Sequence, residues 1–293
     1  MKKKPFIVRF LCGILTTVLV IAVIVGVGCI YVNKKFGINV FETYSQVKIL
    51  SQPVNEETKF TNKFTNEDKS SAQTNVNSKI SGLISYTEAD GYKISSSGLT
   101  TESQLTLELL ISDKQLAAIA DIIIKNQTDG VGVEIGGEKY NIELVQIQFS
   151  NIDNETGSAD VNVVAKIDIS SIQEQMKGFP LNLFSKYIPK VLYISSTTTV
   201  TKLEGEFNYS VASKELTLNN LDSAQTTNIV KLLDMVAHTG SAEELNKSVG
   251  KTFMDMLIGN ADNMGFVYSL KDLGAKDYSF KTVEEVNYLV VKP

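Results

Sequence analysis

Apolar positions along the chain change rhythm several times, and each change predicts an element. Leu105, Leu107, Leu109 and Ile111 alternate with polar residues, the period of a half-buried strand. Ser112-Asp113-Lys114-Gln115 follows as a capping box, and Leu116, Ile119, Ala120 and Ile123 then share one helix face that stops near Asn126. Asp129-Gly130 turns the chain. Val131, Val133 and Ile135 alternate up to Gly136-Gly137, which predicts a hairpin. The return strand carries Tyr140, Ile142 and Leu144, then Ile147 and Phe149, and the change of phase at Val145 predicts a bulge. A turn at Asn151 to Gly157 leads to Val161, Val163, Ala165, Ile167 and Ile169, the clearest strand in the chain.

Phe179-Pro180 and Ile188-Pro189 interrupt the middle. Strands are then expected at 190–201, 205–212 and 214–220. Asp222-Ser223-Ala224-Gln225 caps a second helix bearing Ile229, Leu232, Leu233 and Val236. Ser241-Ala242-Glu243-Glu244 caps a third, with Leu245, Val249, Phe253, Met256 and Leu257 aligned up to Gly259. Strands near 265–271, 277–282 and 286–292 close the chain. The segments 99–126 and 210–236 echo one another as strand, polar cap and helix. Either this common unit occurs twice, or the domain has two related halves.

The N-terminus follows a different pattern. Lys2, Lys3, Lys4 and Arg9 precede an uncharged run from Phe10 to Val32, and Lys34 and Lys35 follow it. As a helix this run spans about 34 Å, enough to cross a hydrocarbon core of about 30 Å. The charge distribution favours a cytoplasmic N-terminus with the remainder outside. The run is long for a cleaved signal peptide and no A-x-A site follows. A lipoprotein at Cys29 would need a Leu-like residue where Gly26 stands. A retained anchor therefore fits best, a lipoprotein second and simple secretion third. Val40, Phe41, Tyr44 and Val47 predict a short helix ending near Leu50. The polar stretch 51–81 then reads as a stalk or loosely packed arm.

Composition narrows the chemistry. Of 28 basic residues only Arg9 is arginine, so the part beyond the anchor has no guanidinium fork for phosphate. Removing the four basic residues before position 32 leaves 24 basic against 33 acidic groups, a net charge of −9. Nucleic-acid binding is not expected on that charge. The lysine bias, with abundant Asn and Ile, points to an AT-rich bacterial genome. Cys12 and Cys29 both lie in the apolar run, so the rest of the chain has no thiol for a disulfide, a nucleophile or zinc. His238 is the only histidine, which leaves no multi-histidine metal site. Its place at the predicted end of the second helix suits the macrodipole.

The remaining motifs are generic. The S-x-x-K pairs Ser45/Lys48 and Ser248/Lys251 match the ~2.4 that chance predicts and lack S-D-N and K-T-G partners. Asn151-x-Asp153-x-Glu155 resembles half a calcium loop, but its glycine, Gly157, falls one position late. Gly130, Gly132, Gly136 and Gly137 separate two strand patterns, so they are turn residues and not a phosphate loop. Among 33 acidic residues, the sequence does not show which carboxylates face one another.

The segment LTLELLISDKQLAAIADIII resembles the strand, polar cap and Leu-containing helix that open bacterial tubular lipid-binding-like (TULIP-like) envelope domains. The likeness covers residues 99–292 in architecture. It implies a curved sheet wrapped around a helix, with an apolar groove for an acyl chain, and it transfers no functional residue.

The expectation is an α+β protein with a single N-terminal transmembrane helix, then a mostly antiparallel curved sheet packed on about three amphipathic helices. Residues 1–33 form the cytoplasmic stub and anchor, 34–81 the juxtamembrane helix and stalk, and 82–293 the extracytoplasmic domain. The bilayer is contacted through residues 10–32. The expected role is non-enzymatic binding of an amphiphile (lipid) or an envelope protein, with the apolar tail buried between sheet and helix. A carboxylate-dependent cell-wall glycan hydrolase and a scaffold subunit of a membrane complex are the alternatives. No catalytic, cofactor-binding or metal-ligating residue is assigned, and no cofactor is expected.

Overall fold

The clearest strand of the sequence lies at the centre of the fold. The computed structural model describes residues 40–95, 104–126, 132–135, 138–170, 187–205, 207–237 and 240–293. The apolar run 10–32, Arg9, both cysteines, His238 and the 179–180 break lie outside these residues. Five antiparallel strands follow in sequence order: β4 (Gly132–Ile135), β5 (Glu138–Asp153), β6 (Ser158–Asp168), β7 (Val191–Lys202) and β8 (Tyr209–Leu218). Period-two alternation gives β6 two distinct faces. Val161, Val163, Ala165 and Ile167 enter the main core, and Asp160, Asn162, Val164 and Lys166 point to the opposite face.

Three register shifts interrupt this sheet: one between Ser150 and Asp153 beside the turn, and two bulges deeper in the strands. Leu144 pairs with Ala165 and Gln146 with Val164, so Val145 is the extra residue, as the change of phase predicts. On β8, Thr197 faces Glu215 while Thr198 faces Ser213, which makes Lys214 extra. That second bulge shifts the apolar phase within one continuous strand. The separate strands expected at 205–212 and 214–220 are therefore a single strand, β8.

A three-stranded antiparallel sheet, in the order β3 (Leu109–Ser112), β10 (Val286–Lys292) and β9 (Asp277–Val283), packs against β5. Phe149 meets Phe280 edge-on at 5.4 Å, and Asn287 Nδ2 donates to Phe149 O at 2.7 Å. A hairpin of β1 (Ile84–Thr87) and β2 (Gly91–Ile94) forms a third sheet. The fold is thus α+β and antiparallel throughout, with three sheets where one was expected. β3 is also shorter than the alternation suggests, because Leu107 is 61% exposed.

Seven α-helices are present among the described residues. Three carry the predicted caps. At α4 (Asp113–Asn126) the Ser112 Oγ accepts from Gln115 N at 3.4 Å and Gln115 Oε1 accepts from Ser112 N at 3.2 Å. The same reciprocal bonding joins Asp222 to Gln225 before α5 (Ser223–Ala237), and Ser241 to Glu244 before α6 (Ala242–Leu257). α4 packs on β5, and α6 lies across β7 and β8. The strand–cap–helix echo is therefore locally real, but β3 and β8 belong to different sheets.

The stretch expected to be a stalk is part of the folded body. α1 (Val40–Leu50) buries Val47 and Leu50, α2 (Glu56–Lys59) is a single turn, and α3 (Asn66–Lys79) buries Ala72 and Val76 in the main core, joined there by its C-cap Ile80. α3 reads as polar because it has only that narrow stripe and docks through amides. Asn75 Nδ2 donates to Leu110 O at 2.7 Å on edge strand β3, and Asn77 brackets Ile84 N and O of β1. Side-chain amides thereby satisfy strand edges that would otherwise be bare. A second correction concerns 265–271, where Phe266–Ser269 forms a helical turn, α7, and not a strand. Among the described residues no helix is long and apolar enough to cross a membrane.

Candidate functional site

The space between α6 and the sheet is filled. Phe253, Met254 and Leu257 are buried on the helix, and a Cβ placed on Gly250 would come 2.6 Å from Thr198 Oγ1 on β7. At Gly250 the helix therefore meets β7 directly. A recess lies instead at the far ends of α4 and α6. Ile123 and Asn126 reach it from the last turn of α4, Met256 from the last turn of α6, Ile94 from β2, Met264 and Gly265 from the connection into α7, and Phe266 and Ser269 from α7 itself. Its volume is about 240 Å³. An apolar cavity of about 150 Å³ holds a benzene molecule, so this one has room for a short tail.

The connection that carries Met264 is fixed by backbone contact. Gly259 has φ +74° and ends α6 in the left-handed region, where glycine has no steric penalty. Gly265 lies against it, and a Cβ on Gly265 would fall 2.5 Å from Asp255 O. Tyr268 N then donates to Ile258 O at 2.9 Å, pinning α7 to the end of α6. The loop is thus closed tightly enough to hold Met264 at the mouth, where it is 71% exposed. Methionine suits such a site because its unbranched thioether reshapes readily around an apolar guest.

A second cluster sits on the opposite face of the large sheet. Val145, displaced by its bulge, joins Val164, Tyr193 and Phe60 in a small core of their own. Phe60 stacks on the Tyr193 ring at 5.4 Å. The segment 51–64 crosses this face as a strap. Asn62 Nδ2 donates to Ile147 O at 3.1 Å, and Lys59 donates to Asn219 O. Glu56 accepts from Tyr193 OH at 2.5 Å and from Lys166 at 3.4 Å, and Lys166 also reaches Glu143 at 3.1 Å. The Tyr193 hydrogen bond, helped by Lys166 and Lys63, holds the Glu56 carboxyl below its usual range despite partial burial. Burial and Glu56 together push the Tyr193 phenol upward.

Further along that face, Asp160 is 4% exposed and accepts from Thr199, Asn151 and Lys214. Burial alone would raise its carboxyl, but these hydrogen bonds and the Lys214 charge hold it below the ordinary value. Asp113, at the start of α4, is instead pushed up by burial.

The sequence motifs are not brought together. Lys251 Nζ bonds Asp255 at 2.8 and 2.9 Å, and Ser248 O is taken by Thr252. Ser45 and Lys48 are exposed on α1. Asp153 caps its own turn by accepting from Glu155 N and Thr156 N, while Asn151 turns to Asp160. No group of three or more metal-ligating side chains occurs among the described residues. Gly132 opens β4 opposite Asn141, inside a hairpin; Gly130, Gly136 and Gly137 lie outside the described residues. Sequence reasoning placed Ile123 and Met256 on helices but missed the recess, because its lining comes from four separated segments.

Compared with known proteins, the chain matches no family, no curated protein and no solved structure.

Proposed function

We propose that the chain is a single-pass membrane protein whose extracytoplasmic domain binds the apolar part of an amphiphile and performs no catalysis. The observation that carries this reading is the methionine-lined recess at the ends of α4 and α6. The uncharged run 10–32, with its flanking positive charges, supports the tether. The resemblance of 105–124 to the opening of TULIP-like domains agrees with an amphiphile as ligand, although the tail enters at the helix ends and not beneath the sheet. Removing apolar surface from water supplies about 25 cal/mol per Å², and the small volume limits the occupant to a short tail or the end of a longer one.

The hydrolase alternative finds less support. Glu56 and Glu143 approach one another only through Lys166. A glycosidase acid needs a carboxyl held protonated, whereas Glu56 is shifted the opposite way.

Native mass spectrometry of the full chain released from membranes tests the reading. The expected result is a bound amphiphile that Met256→Trp displaces while the circular dichroism spectrum is retained. A ligand-free chain, or an adduct indifferent to that substitution, would sink the proposal.

A further inference from the structure

One end of the large sheet carries an exposed aromatic pair. Tyr44 on α1 meets Tyr187 edge-on with ring centroids 5.7 Å apart, and their hydroxyls share a hydrogen bond at 3.2 Å. Tyr44 is 44% exposed. Both rings are fastened to the fold. Ile188 and Pro189 are buried between Tyr187 and the start of β7. α1 ends at Leu50, whose carbonyl accepts from Asn219 just beyond β8, and the carbonyls of Gln52 and Pro53 accept from Asn220. Leu218 at the end of β8 pairs with Ile194 near the start of β7, so these attachments converge on a single end of the sheet. Leu203 follows β7 at the other end. The strand between them has 12 residues, which places Leu203 about 40 Å away.

A phenol combines an apolar ring with a hydroxyl tip, so it gains most where water meets hydrocarbon. In the pair, one hydroxyl already donates to the other, which leaves one donor fewer to desolvate. Lys48, one turn beyond Tyr44, and Lys190, three residues after Tyr187, are exposed, and their stems suit a lipid surface with the ammonium groups at the phosphates. Glu42 lies on the same helix and accepts from Gln46 and Asn228. Both signs of charge are thus present, and the seat does not depend on anionic lipid. The apolar run ends at Val32, and the eight peptide steps to Val40 span at most about 28 Å. Four helical residues add about 6 Å to reach Tyr44. So short a link holds the pair at an effective concentration on the order of millimolar, where a contact too weak for a free domain suffices.

Resting on the proposed tether, we infer that Tyr44 and Tyr187 seat in the headgroup layer of the bilayer that holds the chain's own apolar run, with this end of the large sheet turned toward the membrane. The chain has no tryptophan, so Tyr44→Trp installs a single fluorophore that is excited beyond tyrosine absorption. Leu203→Trp, at a position 46% exposed, is the control at the far end. Each full-length variant is placed in phosphatidylcholine nanodiscs whose acyl chains carry bromine just below the headgroups. Tyr44→Trp is expected to lose at least about half of its emission relative to unbrominated discs and to shift to the blue, while Leu203→Trp keeps its emission. Adding Tyr187→Ser to Tyr44→Trp is expected to lessen the quenching. A chain that stays in the discs with Tyr44→Trp unquenched, or with Leu203→Trp quenched equally, would overturn the inference and leave the tether standing. A chain that does not enter the discs removes the tether and the inference with it.

Discussion

Asn219 ties three parts of the chain together with one side chain. Its Oδ1 accepts from Tyr193 N at 2.7 Å, and its Nδ2 donates to Leu50 O at 2.8 Å and Val191 O at 3.1 Å. Its backbone has φ 47°, which asparagine tolerates better than most residues. Asn219→Ala leaves buried backbone groups unpaired and adds strain in the left-handed region. Urea unfolding should show a loss of about 2–4 kcal/mol. Glu56 makes a prediction in pH. Its folded pKa lies below the ordinary 4.5, so its stabilisation is complete above that value and fades as pH falls through the folded pKa. The difference in unfolding free energy between wild type and Glu56→Gln should therefore shrink from about pH 6 to about pH 3, and a constant difference would contradict the hydrogen-bond account. Neither role shows in the sequence, since Asn219 reaches Leu50 across 169 residues and Glu56 reaches Tyr193 across 137.

At the scale of elements, the sequence was most legible where structure is local. The caps at Ser112, Asp222 and Ser241 and the bulge at Val145 depend on neighbours in the chain, and all four form as expected. Ser241→Ala should cost α6 about 1 kcal/mol in thermal or urea melts. What could not be read is structure that depends on distant partners. α3 places only Ala72 and Val76 in the core, with its C-cap Ile80, and reads as solvated until β1 and β3 are placed beside it. Phe266 and Val267 look like strand residues until the close Gly259–Gly265 approach turns them into a helix. The strap rests on a small core of four buried residues and a set of polar contacts, the kind of unit that opens ahead of the whole fold. Phe60→Ala removes the stacked ring from that core. It should speed hydrogen exchange and protease cleavage within 51–64 well before the core strands lose protection, and simultaneous loss in strap and core would show the strap is not a separate unit. The same reasoning explains the recess, which exists only after strand, helix ends and loop have converged.

For the molecule as a whole, the proposed tether has a direct consequence. The intact chain should sediment with membranes and resist carbonate extraction, and removing residues 1–33 should release it into the soluble fraction. A soluble intact chain would remove the geography on which the envelope reading depends. α1 starts at Val40, close in sequence to the apolar run 10–32, and already places Val47 and Leu50 in the core. Under the proposed tether the domain would be held near the lipid surface without a long spacer. The large sheet separates two unequal interiors, one under α4 and α6 and one under the strap.

That arrangement sets where the chain tolerates cutting. A fragment started at residue 82, the boundary its polar lead-in suggests, would lose the cover over Val145, Val164 and Tyr193 and the amides that occupy the edges of β1 and β3. It would present a greasy stripe beside unclaimed hydrogen-bonding groups, an invitation to self-association. Trimming just ahead of Val40 keeps both protections, and of the two fragments that one should stay dispersed.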